Sequence, residues 1–393
     1  MALNALQQRI VAAVEAARIT ILDVSHQIHD NPEISTQEVF ACNLLCETLE
    51  GFGFAVERNF AGLPTAFCAR KGPAGRPRVA FLAEYDALPG IGHGCGHNVI
   101  ATSALGAGVG LGALGDALPG EVWVVGTPAE ETDGAKCAMS AGGYFDELDA
   151  ALMIHPHEGN YTTTISLALT ALQVSFYGKT SHAAAAPWEG VNALDALLLT
   201  FSNMNAMRLE VTPDVRMHGI ITKGGEAPNI IPDFSQGRFY LRAARRATLN
   251  KVVERFQACA QAGALASGCR VEILEYETSF DDMLNNLPMA ERFRDTMVNE
   301  LESGPFQQAP SSFGSIDMGN VSHVIPAIHA LIDIADGAKL TPHTTEFAQA
   351  ACTAYADQAL IRAGKGLALT GLDVLQDAAF RAQVRADFER GMR

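Results

Sequence analysis

The sequence predicts an α/β protein: a mostly parallel central sheet with helices on both faces, interrupted by a smaller inserted α+β domain. Three observations carry this prediction. Over the first 165 residues, short apolar runs bounded by turn residues alternate with helical periodicity, the pattern of a buried parallel sheet. From about residue 166 the texture changes to strand-like stretches separated by two helical segments. After about 281 the first texture returns. The expected boundaries are therefore 1–165 with 281–393 for the larger domain and 166–280 for the insertion.

The elements follow in order. Apolar positions recur at helical spacing over 3–29, and "STQEVFACNLLCETLEGFG" opens on a Ser35/Glu38 capping-box pattern and closes on glycine, so two helices begin the chain. "RVAFLAE" (78–84), "EVWVVGT" (121–127) and "DAALMI" (149–154) read as buried strands, with a helix at 98–114 between the first two. In the insertion, "SLALTALQVSFYGKT", "VRMHGIITKGG", "NIIPDFSQGRFYLRA" and "CRVEILEYETSF" form four strands, with helices at 190–209 and 248–267. A helix, the Gly/Ser-rich loop "APSSFGSIDMGN", the strand "IHALIDI" and a helix from 343 complete the larger domain.

Composition excludes several function classes. At 393 residues and 48% hydrophobic, the chain can bury a large core. A formal charge of −16 argues against nucleic acid or an anionic membrane surface, since either partner needs a basic face. No uncharged apolar run of about 18 residues is present to span a membrane, and "MALNALQQRIVAAVEAARI" reads as a helix, with charges inside its periodicity. Eight scattered cysteines in a chain of this size point to reduced thiols and a cytoplasmic location.

Chemistry concentrates where strands give way to loops, the edge at which open α/β sheets collect functional groups. Glu84 and Asp86 follow the first strand, Cys95 and His97 open the next helix, Glu130 and Glu131 follow the second strand, His155 follows the third and His343 the last. Such a set suits two divalent ions about 3.5–4 Å apart with a water clamped between them. Adjacent side chains on an extended segment point apart, so one of Glu130 and Glu131 can ligate while its neighbour faces the water as base. Each residue alone has a simpler reading. A single strand-end histidine is usually a satisfied polar group, a cysteine is usually packing, and a Glu pair is usually solvated. The combination across four strand exits is what carries the metal reading.

The motifs "AEYDALPGIGHGCGHN", "GTPAEETDGAK", "MIHPH", "GKTSHAAAAPWEGVNALDA", "GGEAPNIIPD" and "LTPHTTEFAQAA" span nearly the whole chain. In this order they resemble the di-metal amidohydrolase branch of the aminoacylase/glutamate-carboxypeptidase superfamily, nearest to its aminobenzoyl-glutamate hydrolase and β-alanyl-lysine-type dipeptidase sub-branch. The resemblance implies a zinc-exopeptidase-like catalytic domain and a ferredoxin-like lid that also dimerises. Carried over by position, it implies Cys95, His97, Glu131, His155 and His343 as ligands of two divalent ions, zinc first and manganese or cobalt as alternatives. Glu130 would be the general base, Asp86 the orienting carboxylate, and His182 a lid histidine serving the partner subunit of a homodimer. Asn229 and Arg242 are candidates for holding a substrate carboxylate. Glu84 stands where many relatives have a metal-binding histidine, so no ligand role is carried onto it. Asn98 stands where auxin-conjugate hydrolases have Asp, which points away from an auxin-type substrate.

The expected activity is hydrolysis of an amide or peptide bond in a small N-acyl amino acid or dipeptide-like substrate with a free carboxylate. A metal-bridging water would attack and Glu130 would move its proton. The alternatives are a dipeptidase of the β-alanyl-lysine type, a hydrolase with Cys95 as nucleophile, and a non-catalytic binding homologue.

Overall fold

The computed structural model describes residues 3–75, 77–309 and 314–392. Two compact units are present: Met1–Ile165 with Met283–Phe313 and Asp317–Arg393, and Ser166–Asp282 with Gly314–Ile316. In chain order the first unit begins with helices α1 (Ala5–Ala16), α2 (Arg18–Asp30) and α3 (Val39–Gly51). Strands β1 (Ala55–Arg58), β2 (Phe67–Lys71) and β3 (Arg78–Ala83) follow, then α4 (His97–Gly112), β4 (Glu121–Gly126), α5 (Ala135–Ala141) and β5 (Ala150–His157). The second unit is β6 (Ala168–Tyr177), α6 (Ala193–Met207), β7 (Arg216–Lys223), β8 (Phe234–Ala243), α7 (Arg246–Ser267) and β9 (Arg270–Glu275). The chain then returns to the first unit with α8 (Leu287–Asn299), α9 (Met318–Ser322), β10 (Ala327–Asp333), α10 (Thr345–Ala350), α11 (Ala354–Gln376) and α12 (Ala378–Gly391).

The larger sheet has the order β1-β2-β4-β3-β5-β10. Its four strands β4, β3, β5 and β10 are parallel, and β2 and β1 extend it antiparallel at one edge. From β3 the chain crosses to β4 on one side and then to β5 on the other, so the strand order reverses at β3. Loops leaving the C-terminal ends of strands at such a point diverge and open a crevice. Helix α4 is buried along its whole length, packed on β3, β4 and β5 and on α1, α2 and α11. Its glycines make that possible: a Cβ on Gly108 would stand 2.3 Å from Val124 Cγ2.

The smaller sheet, β7-β8-β6-β9, is antiparallel throughout. Along β8, alternate residues such as Phe239, Leu241 and Ala243 are buried in one cluster with Leu197 of α6 and Phe256 of α7. One face of the sheet therefore carries both helices.

Several expectations need correction. The span 3–29 is two helices meeting at Ala17, so three helices precede the sheet rather than two. Ser35 and Glu38 form no capping box: Glu38 is the N-cap of α3 without a side-chain cap bond, and Ser35 bonds Asp86 instead. The helix expected from 343 begins at Thr345 and is three helices. Strand β5 continues through His155 instead of ending before it. Strands β1 and β2 were not anticipated. Of the Gly/Ser-rich loop, residues 310–313 lie outside the described residues, and its end forms α9.

Candidate metal centre and active site

The first strand exit sets up one imidazole. Asp86 Oδ1 lies 3.0 Å from His97 Nδ1, while Oδ2 accepts from the Ser35 hydroxyl at 2.8 Å and the Glu131 backbone N–H at 3.0 Å. A carboxylate only accepts, so Nδ1 of His97 carries a proton and Nε2 is the ring atom left for a metal. Burial opposes charge on the ring, but Asp86, Cys95 and Glu84 outweigh it and raise its pKa well above the usual histidine range, so a metal at Nε2 would take the place of a proton. That Nε2 is buried and has no hydrogen-bond partner. Burial alone would raise Asp86, but His97 and the hydrogen bonds outweigh it and hold the carboxyl far below the usual carboxylate range. The glycines of "HGCGH" have a steric reason. Gly96 sits at φ +69°, and a Cβ there would stand 2.6 Å from Pro156 Cγ, beside His155. Only glycine lets the start of α4 lie this close to β5.

At the second exit the backbone is strained. Ala129 has φ +60°, which a residue with a Cβ rarely adopts. Its N–H donates to the buried Glu38 carboxylate at 2.8 Å, and the other Glu38 oxygen accepts from Thr65 at 2.9 Å. This anchored turn separates the two acids that follow. Glu131 places Oε1 3.9 Å from His97 Nε2 and Oε2 3.5 Å from His343 Nε2. Glu130 makes no hydrogen bond or ion pair with any described residue.

His155 on β5 has Nδ1 2.7 Å from the Pro156 carbonyl, so it too carries its proton on Nδ1 and offers Nε2. Burial, reinforced by His329 and His97, pushes its pKa well below the usual histidine range and keeps it neutral. His343 sits at φ +65°, held by its N–H to the Gly94 carbonyl at 3.0 Å. Its side chain is 58% exposed.

These residues converge. Cys95, His97 and His155 offer donor atoms within 4.8 Å of one another, Cys95, Glu131 and His343 form a second such set, and His97, Glu130 and Glu131 a third. All five ligand candidates thus fall into two sets that share one sulfur. The donor chemistry of sulfur, imidazole and carboxylate suits zinc-like ions. Two further observations support cation binding. His97 Nε2 and Glu131 Oε1 are buried with no hydrogen-bond partner among the described residues. Burial, then Glu84, Asp317 and Glu131, pushes Glu130 well above the usual carboxylate range, so acids crowd the place a cation would take.

Lys136, Asp317, His329 and Thr164 escaped sequence reasoning altogether. Lys136, fully buried on α5, places Nζ 2.5 Å from Glu84 Oε1 and 2.8 Å from Asp317 Oδ1. A lysine inside the small-residue run "GAKCAM" was the available signal for it. His329 on β10 packs its ring 5.6 Å from that of His155. Its Nδ1 lies 3.1 Å from the Thr164 hydroxyl oxygen, and that hydroxyl donates to the His329 carbonyl at 2.6 Å.

The remaining candidates belong to the second unit. His182 is exposed, and its Nδ1 accepts from the Ala184 and Ala185 N–H groups, both at 3.2 Å. That fixes the proton on Nε2, an outward donor. His182 forms an isolated antiparallel bridge with Ile230, and Ala183 N–H donates to the Asn229 carbonyl at 3.0 Å, so the His182 and Asn229 segments run side by side. Arg242 makes no ion pair with any described residue, and its guanidinium lies 5.7 Å from the Tyr240 ring centre.

Comparison with known proteins gives the family. The pattern of peptidase family M20/M25/M40 matches residues 80–361. The Xaa-Arg dipeptidase of Mus musculus is 38% identical over an alignment covering 98% of this chain and 93% of that protein. A p-aminobenzoyl-glutamate hydrolase subunit of Escherichia coli is 34% identical, over 66% of this chain and 58% of its own. A solved dinuclear metal binding peptidase of the M20 family from Bacillus subtilis superposes with a TM-score of 0.71 at 19% identity, covering 92% of this chain and 99% of that one. The chain is a hydrolase of amide or peptide bonds that uses divalent metal, and it belongs to peptidase family M20/M25/M40.

Proposed function

We propose that the protein is a dipeptidase-like amidohydrolase whose general base is Glu130 and whose two divalent ions are held by Cys95, His97, Glu131, His155 and His343. The observation that carries this reading is the pair of donor sets sharing Cys95, with the Glu130 carboxylate beside them in a third set with His97 and Glu131. When bound, the ions supply Lewis acidity and lower the pKa of a water. Zinc fits the sulfur and imidazole donors best, with manganese or cobalt as alternatives. Asp86 keeps His97 in the tautomer that leaves Nε2 free. Glu130 takes the proton of the attacking water and returns it to the departing amine. The outward Nε2–H of His182, delivered by the partner subunit of a homodimer, donates to the developing oxyanion. Asn229 and Arg242 hold the substrate carboxylate. A cytoplasmic location suits its eight free cysteines.

For the substrate, a relative spanning both chains almost completely is named an Xaa-Arg dipeptidase, which favours dipeptides ending in a basic residue. A zinc-loaded preparation offered β-alanyl-lysine, Xaa-Arg dipeptides, p-aminobenzoyl-glutamate and N-acetyl amino acids should show kcat/KM at least about tenfold higher for the basic dipeptides. A preference for aminobenzoyl-glutamate or the acetylated amino acids would replace that substrate class.

A Cys95 nucleophile is disfavoured because burial pushes the thiol up to about 12, leaving little thiolate at neutral pH. As a ligand, the sulfur is shielded when metal is present. Thiol reagents should therefore modify Cys95 in chelator-stripped protein at least about tenfold faster than in zinc-loaded protein, read by mass spectrometry of the Cys95 peptide. Equal rates would remove Cys95 from the ligand set.

A further inference from the structure

Beside the proposed metal ligands lies a second nest of acids. Carboxylate oxygens of Glu84, Glu130 and Asp317 lie within 4.8 Å of one another, an arrangement able to hold a cation. The cation present is the protein's own. Lys136 Nζ pairs with Glu84 at 2.5 Å and Asp317 at 2.8 Å, and the Lys136 backbone N–H donates to the other Asp317 oxygen at 3.3 Å. All three side chains are at most 2% exposed. The ammonium thus joins the end of β3, the first turn of α5 and the N-cap of α9.

Packing alone gives no reason for such a cluster. Burying an ammonium and two carboxylates costs solvation that apolar residues of the same volume would not. Its placement gives the reason. Glu84 turns Oε1 to Lys136, while its Oε2 is buried without a hydrogen-bond partner among the described residues, 3.6 Å from His97 Nε2. Glu130, six residues before Lys136, contributes the third side of the nest.

We propose that Lys136 is a positioning residue whose ammonium serves as a permanent third cation of this centre. It fills the Glu84–Asp317–Glu130 nest against a divalent ion, limits the metal complement to two, and fixes the carboxylates against which Glu130 stands. The inference rests on the two-metal, Glu130-base reading above.

The test compares wild type, Lys136→Met and the double variant Lys136→Met/Asp317→Asn, each equilibrated with manganese(II), dialysed and assayed for metal content, kcat and KM. Wild type should retain two ions per chain. Lys136→Met, with three uncompensated carboxylates, should retain three. The double variant restores the buried charge balance and reduces the nest to two acids, so it should return to two ions. Its kcat should nevertheless stay at least about tenfold below wild type, with KM within about threefold, as for other groups that orient a metal site through their neighbours. Two ions in folded Lys136→Met would overturn the third-cation role. Wild-type kcat in the double variant would overturn the positioning role, leaving Lys136 as charge balance only. If Lys136→Met cannot be isolated folded, the double variant alone decides: depressed kcat with two ions supports the proposal and restored kcat overturns it. Wild type retaining no manganese would overturn the two-metal reading and this inference with it, whereas two ions in wild type and full rate in the double variant overturn this inference alone.

Discussion

Replacing Glu130 by Gln should lower kcat by at least about 10²-fold, the scale of a lost general base, while the protein keeps both metal ions. The expectation follows from the division of labour between two adjacent acids. Glu131 faces His97 and His343 with its two oxygens, whereas Glu130 forms no hydrogen bond or ion pair with any described residue and lies among the carboxylates of Glu84 and Asp317. Gln matches Glu in shape and cannot accept the proton. Gln keeps the volume of Glu, and burial followed by Glu84, Asp317 and Glu131 already holds the Glu130 carboxyl toward its neutral form, so the variant should melt close to wild type. Elemental analysis, a thermal melt and steady-state kinetics on one preparation separate the outcomes. Loss of metal together with rate would make Glu130 a ligand, and retention of most of the rate would move the base elsewhere.

Much of this arrangement was legible in the sequence because buried parallel strands read as unbroken apolar runs. Strands β3, β4, β5 and β10 are buried over nearly their whole length, so the strands could be recognised and the residues near their C-terminal ends singled out, although β5 runs past the end expected for it and includes His155. Strands β1 and β2 were invisible for the opposite reason. Three of the four residues of "AVER" are exposed, and "FCARK" buries Phe67, Cys68 and Ala69 but ends on Arg70 and Lys71, so neither strand carries a long apolar run or an alternation. The Ser35/Glu38 misreading shows where local patterns fail. The spacing fits a capping box, yet the Ser35 partner is Asp86, 51 positions away, and Glu38 reaches Ala129, 91 positions away. Lys136 and Asp317 are separated by 181 positions, and Thr164 and His329 by 165. Ligand types announce themselves in a sequence; the groups that orient them are chosen by the fold.

Two inactive homodimers should regain activity when mixed, if His182 works in the partner's site. Glu130→Ala removes the base and His182→Ala removes the oxyanion donor, so each homodimer should be nearly dead. The His182 environment supports the donor role. Two backbone N–H groups occupy Nδ1, so the exposed Nε2–H is a donor whose orientation is set before substrate arrives. In a two-fold dimer a mixed pair has one site built from the intact Glu130 of one chain and the intact His182 of the other, and a second site lacking both. Random exchange of an equal mixture makes about half of the dimers mixed, each with one working site of two, so activity should recover to roughly a quarter of wild type. Exchange is verified separately by tagging the two chains and isolating the doubly tagged species. A verified mixture that remains dead would place His182 in its own chain's site or outside catalysis, and recovery without dimer formation would contradict the two-fold arrangement itself.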